Sequence, residues 1–162
     1  MKKAYKVISL YCFSSIKEDE LFNLRDNLFK YSDEGLTGLI ILAKEGINGT
    51  ICGREEFVNH FHKSIKKIFN NFDLNEKISF TEKKIFKKLK IKIKKEIVTM
   101  GISNINPKTE SGIYVDPDRW NNLLNDENTI VIDTRNHYET SLGSFKDSIN
   151  PKLNNFREFP DW

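Results

Sequence analysis

Cysteine is scarce in this 162-residue chain: Cys12 and Cys52 are the only two, and they stand far apart. That excludes a disulfide-stapled scaffold and points to a reduced, cytoplasmic setting. No run of about 18 apolar residues occurs, so no membrane span is expected. The basic start, Met1-Lys2-Lys3-Ala4-Tyr5-Lys6, is followed by neither a long apolar stretch nor a small-residue cleavage site, so no secretory signal is expected. Histidine is rare. His60 and His62 are two apart on an expected helix, where their side chains diverge, and no cysteine pair or acidic cluster joins them. No metal site is expected there. A glycine-rich nucleotide loop and a Ser-His-Asp order are both missing, and no cofactor is identifiable. Internal repeats are absent too.

What is present describes a globular chain. It is 38% hydrophobic and 30% charged, and its 12 Phe can build a sizeable core. The net charge of +3 conceals a division: residues 1–100 hold 20 Lys/Arg against 13 Asp/Glu, and residues 101–162 hold 6 against 10. A basic front half and an acidic back half suggest two units with different partners.

The front half reads as alternating strands and helices. Tyr5 to Phe13 is β-branched and aromatic, a strand. Ser15-Ile16-Lys17-Glu18 has capping-box spacing, and Leu21, Leu24, Leu28 and Tyr31 follow at helical intervals with Phe22 and Phe29 widening the stripe. The spacing predicts a helix over 16–31. Leu39 to Ala43 is a strand buried on both faces. Lys44 to Gly49 reads as a tight turn with an Asn-Gly hairpin signal, returning as a short strand over Thr50 to Cys52. Residues 54–70 carry Phe57, Val58, Phe61, Ile65, Ile68 and Phe69 on one helical face. Ile78 to Phe80 and Leu89 to Lys94 complete the strands, the last with strict apolar/Lys alternation. This order matches a ferredoxin-like βαββαβ layout with one extra strand: an antiparallel sheet under two helices, an α+β fold.

Residues 1–99 are therefore taken as one domain, 100–112 as a linker and 113–162 as a second unit. In the latter, Asp116-Pro117 opens a short helix as N-cap and first-turn proline. Thr129 to Thr134 is expected to be a buried strand, Phe145 to Pro151 a turn-rich return, and Asn155 to Phe159 the start of a helix.

Asp133-Thr134-Arg135 after an apolar strand, then Tyr138-Glu139, Gly143 and Pro151, resembles the opening of a rhodanese domain, the first part of an α/β fold. Three further stretches are Glu45-Gly46-Ile47-Asn48-Gly49-Thr50, Lys94 to Gly101, and Phe156-Arg157-Glu158-Phe159-Pro160. In this order the four stretches resemble the rhodanese-domain tRNA uridine hydroxylases, over essentially the whole chain. The resemblance implies a ferredoxin-like front domain that docks tRNA. It also implies a parent enzyme that uses oxygen to convert the wobble uridine to 5-hydroxyuridine. Two departures stand out. The rhodanese cysteine follows a later strand, beyond Trp162, and neither Cys12 nor Cys52 can replace it, so this chain by itself is expected to be inactive. Asp147 stands where the family usually has glycine. A sulfurtransferase parent and a non-catalytic RNA- or protein-binding module remain open alternatives.

The candidate site residues fall into three groups. Eight lysines lie between Lys83 and Lys95. Of these, Lys88, Lys90, Lys92, Lys94 and Lys95 form a comb that either protects an edge strand from aggregation or contacts RNA phosphates. Glu45, Gly46, Asn48 and Gly49 are either a plain turn or a functional loop. The resemblance implies that Asp133, Arg135, Glu139 and Arg157 support the rhodanese site. The expected partner is tRNA, and self-association through the incomplete back half is an open option.

Overall fold

A computed structural model describes residues 4–70, 72–102 and 112–162. The chain divides into two compact units, the first ending at Val98 and the second starting at Thr99. Most of the expected linker, residues 103–111, lies outside the described residues.

The first unit is a five-stranded sheet in the order β4-β1-β3-β2-β5. Its strands are β1 (Tyr5–Phe13), β2 (Thr37–Ala43), β3 (Gly46–Gly53), β4 (Asn75–Thr81) and β5 (Leu89–Ile93). Two helices, α1 (Glu18–Phe29) and α2 (Glu55–Ile68), cover one face. The first four strands have the ferredoxin-like order and pair antiparallel. The extra strand β5 is not antiparallel as expected: it pairs parallel to β2 and forms an edge. Strand alternation sends Ile8, Leu10, Cys12, Ile40, Leu42, Ile47 and Ile51 into the core, where they meet Leu21 and Leu28 of α1 and Val58, Phe61 and Ile65 of α2. Lys6 is buried on the same side, its Nζ donating to Asn59 Oδ1 at 2.7 Å.

Several local expectations are corrected. Ser15 does not cap α1, which starts at Glu18 with Lys17 in the N-cap position and no side-chain cap. The cause is tertiary: Ser14 N–H and Ile16 N–H donate to Glu45 O and Lys44 O, holding this segment against the β2–β3 turn. Phe22 and Phe29 are exposed, because each lies one residue past Leu21 and Leu28 and so about 100° off the buried stripe. Ile68 is exposed as well. The hairpin turn is Lys44-Glu45; Gly46 to Gly49 already belong to β3.

The second unit contains α3 (Pro117–Leu124) and α4 (His137–Thr140). Asp116 caps α3 as expected, its carboxylate accepting from Arg119 N–H at 2.7 Å, with Pro117 in the first turn. Residues 129–134 form no buried strand. They make a single parallel bridge, Ile132 to Ile149, and Ile130 is 73% exposed. One neighbouring segment cannot cover both faces of an apolar run. Residues 156–158 form one 3-10 turn rather than the opening of an α-helix, capped by Asn155.

Candidate functional site

The lysine comb sits on the outer edge of the sheet. Ile91 and Ile93 pack against the core, so Lys90 and Lys92 point to the face without helices. Lys88, Lys94 and Lys95 are exposed at the ends of the strand. The same face carries Lys77 at the opposite edge, a lysine that sequence reading missed. The signal was available: counting alternation outward from Ile78 places Lys77 on the other side.

Glu45, Gly46, Asn48 and Gly49 act within the sheet. A Cβ on Gly46, whose φ is +146°, would lie 1.9 Å from Cys12 O, and one on Gly49 would lie 2.6 Å from Leu39 O. Both glycines thus let strand backbones approach, as at other close backbone contacts. Glu45 Oε1 accepts from Ile97 N–H at 2.6 Å, and Asn48 Nδ2 donates to Ile97 O at 3.0 Å. Both polar groups of the Ile97 backbone are satisfied by side chains of the β2–β3 hairpin, and the Ile97 side chain is buried. Two of the sequence motifs are therefore one contact: the hairpin clamps the segment that follows β5.

In the second unit Asp133 and Arg135 meet face to face. Arg135 Nε donates to Asp133 Oδ1 at 2.9 Å and Nη2 to Oδ2 at 2.6 Å. Ser144 Oγ donates to the same Oδ2 at 2.6 Å, and Arg135 Nη2 also reaches Gly143 O at 2.8 Å. The hydrogen bonds from Arg135, and then from Ser144, hold the Asp133 carboxyl well below the usual carboxylate range. Asp133 in turn raises Arg135. A carboxylate so firmly ionised is a poor general acid or base near neutral pH. The arrangement is a charge-assisted clamp between the bridge segment around Ile132 and the 143–144 loop. It lines a cavity of about 470 Å³ with Trp120, Val131, Ile132, Thr134 and Phe145. The Trp120 Nε1 is buried and, among the described residues, has no hydrogen-bond partner.

Glu139 and Arg157 are not brought to this cavity. Glu139 closes a capping box on α4, accepting from Asn136 N–H at 3.2 Å. Arg157 is exposed on the 3-10 turn. Asp147 has φ +60°, the left-handed region where glycine is favoured. Cys12 and Cys52 are both buried in the sheet. His60 and His62 face different carboxylates, Glu34 and Glu76. Burial would raise the Glu76 carboxyl, but hydrogen bonds from Lys66 and His62 outweigh it and hold it low. No helix among the described residues is long and apolar enough to cross a membrane.

The topology defines the class: an α+β protein whose front unit is a ferredoxin-like sheet with two helices on one face and a fifth strand added at the edge. A family model described as the UPF0176 acylphosphatase like domain matches residues 5–97, and the chain belongs to that family. The chain is also similar to curated proteins named tRNA uridine(34) hydroxylase. One from Prochlorococcus marinus subsp. pastoris is 55% identical over 98% of this chain and 51% of its own length. Another, from Prochlorococcus marinus strain MIT 9515, is 54% identical over 99% of this chain and 52% of its own. One from Bartonella bacilliformis is 43% identical over 100% of this chain and 53% of its own. The chain thus spans about half the length of the curated relatives it matches.

Proposed function

We propose that this chain is the front part of a tRNA hydroxylase that uses oxygen to convert the wobble uridine to 5-hydroxyuridine. The observation that carries the reading is likeness through both units, 55% identical across 98% of the chain, to a relative of that printed name. In this reading the first unit docks tRNA through the β5 lysines, whose spacing suits successive phosphates. Residues 113–162 begin a rhodanese-like domain. There the Asp133–Arg135–Ser144 clamp fixes the 143–144 loop beside the bridge segment and takes no part in proton transfer. A rhodanese-type reaction needs an accessible thiolate. Cys12 and Cys52 are buried among strands and do not supply it, so the 162 residues alone are inactive. The place of action is wherever tRNA is processed, the cytoplasm.

The test is a chimaera in which this chain replaces the matching half of a curated relative, expressed in cells lacking their own hydroxylase. Mass spectrometry of tRNA nucleosides should find 5-hydroxyuridine with the chimaera and none with the 162-residue chain. A folded chimaera that leaves uridine unmodified, or that instead transfers sulfur from thiosulfate, would sink the reading.

A further inference from the structure

The two edges of the front sheet are guarded differently. An edge strand offers a row of unpaired backbone groups to any second strand, and lysines along it oppose such pairing. The β5 edge has them at Lys90 and Lys92, flanked by Lys88, Lys94 and Lys95. The β4 edge has only Lys77. No described strand pairs with its outer side, and Lys77 to Phe80 are all exposed. Register sets Ile78 opposite Ile8, a core residue, and Phe80 opposite Lys6, whose Nζ reaches Asn59 of α2. Both side chains therefore lie on the face that carries the helices, yet they stay 47% and 42% exposed. The Lys6 ammonium stands 5.9 Å from the Phe80 ring centroid and leaves that exposure in place. Glu76, nearer the start of the strand, is already paired with Lys66 at 3.0 Å and with His62.

We infer that β4 is the contact edge of a homodimer: two copies pair β4 antiparallel about a twofold axis at Ser79 and join their five-stranded sheets into one of ten strands. The strand is self-complementary in that register. Ile78 stands opposite Phe80 of the partner subunit, twice by symmetry, an aliphatic–aromatic pair of the kind that stabilises sheets. Ser79 meets Ser79 of the partner subunit, and Lys77 meets Thr81 of the partner subunit. The two Lys77 positions stay roughly 14 Å apart along the ladder, so like charges do not meet. An axis at Ile78 instead would set Glu76, with its Lys66 and His62 partners, against Phe80 and lose both mixed pairs. The chemistry of the edge decides the occupant. It offers apolar side chains and backbone groups where an RNA would need cations. The dimer also leaves both β5 edges outward, roughly 43 Å apart at about 4.8 Å per strand, so each lysine comb stays at an open edge. The inference stands independently of the hydroxylase reading.

The experiment is sedimentation velocity on the full 162-residue chain across a concentration series, with circular dichroism confirming that each variant is folded. The unaltered chain should pass from one copy to two as concentration rises. Ser79→Lys puts two lysines face to face on the axis and should raise the dissociation constant roughly tenfold or more. Ser79→Thr, which suits a strand, should keep the dimer. Ser79→Cys should cross-link across the axis under mild oxidation, while Ile78→Cys and Lys90→Cys should not. The native Cys12 and Cys52 are buried and stay out of that reaction. An unaltered chain that remains single at every concentration overturns the proposal. So does a folded Ser79→Lys chain that dimerises as before, which would move the contact to another surface such as the second unit. Cross-linking through Ile78→Cys in place of Ser79→Cys overturns the register, and the proposal with it.

Discussion

Gly46 is a residue whose absence of a side chain holds two strands together. Its φ of +146° and the 1.9 Å gap that a Cβ would leave to Cys12 O mean that any substitution must push β1 and β3 apart. The obstacle is backbone, which cannot swing aside as a side-chain tip can. We expect Gly46→Ala to cost about 3 kcal/mol or more, in the range of overpacked and strained sites. Gly112 has nothing within 4 Å of its would-be Cβ and serves as the control, with Gly112→Ala near neutral. Urea unfolding of the two variants measures the difference. Equal midpoints would show that Gly46 is tolerated as a free turn residue rather than demanded by the sheet. In the sequence the same glycine reads as a turn signal. Both a turn and a strand crossing favour glycine, and only the neighbouring strand tells them apart.

The Asp133–Arg135 clamp joins elements, and its pH dependence can be predicted. An unfolded Asp titrates near 3.9. In the folded chain Arg135 and Ser144 hold the carboxyl lower. The stability that it contributes is therefore fully present above about pH 4 and lost as pH falls through the unfolded value toward the folded one. The difference in melting temperature between the native chain and Asp133→Asn should be flat from about pH 5 to pH 7 and shrink below about pH 4. Both tryptophans, Trp120 and Trp162, lie in the second unit, so their fluorescence reports on it directly. A difference that persists unchanged into strong acid would contradict the clamp. The elements of the first unit were legible because apolar period and element agree there: Phe61 and Ile65 mark α2, and Lys90 and Lys92 mark the wet side of β5. The Asp133–Arg135 pair was legible as well, two residues apart after an apolar run. Ser144 was not, because it lies 11 positions further along the chain, beyond α4. The role of Glu139 was available in the Asn136-to-Glu139 capping spacing. Ser15 failed as a cap because backbone pairing with the Lys44-Glu45 turn outweighs local preference.

At the scale of the molecule the two units differ in how much apolar surface they cover. Among its described residues the first encloses a core of 16 buried side chains between a sheet and two helices. Among the described residues of the second, Leu153 is the buried apolar one, while Ile113, Tyr114 and Leu142 are about four-fifths exposed or more, at 83%, 78% and 89%. Its backbone contacts among the described residues are short-range turns, one bridge and a single hydrogen bond from His137 N–H to Leu153 O rather than a ladder, so few of its amides need cooperative unfolding to open. Local hydrogen bonds such as the Asp133 clamp and the α4 capping box hold its shape, but each contributes only about 1–3 kcal/mol. We expect amide exchange in residues 113–162 to be faster than in β1 and β3, the two central strands. Limited proteolysis should cut the second unit first and leave a resistant fragment ending near Val98. Mass spectrometry of the digest reads both the order and the boundary. A resistant fragment of residues 113–162, with the sheet digested first, would reverse the ranking and require a core in the second unit that its exposed side chains do not show.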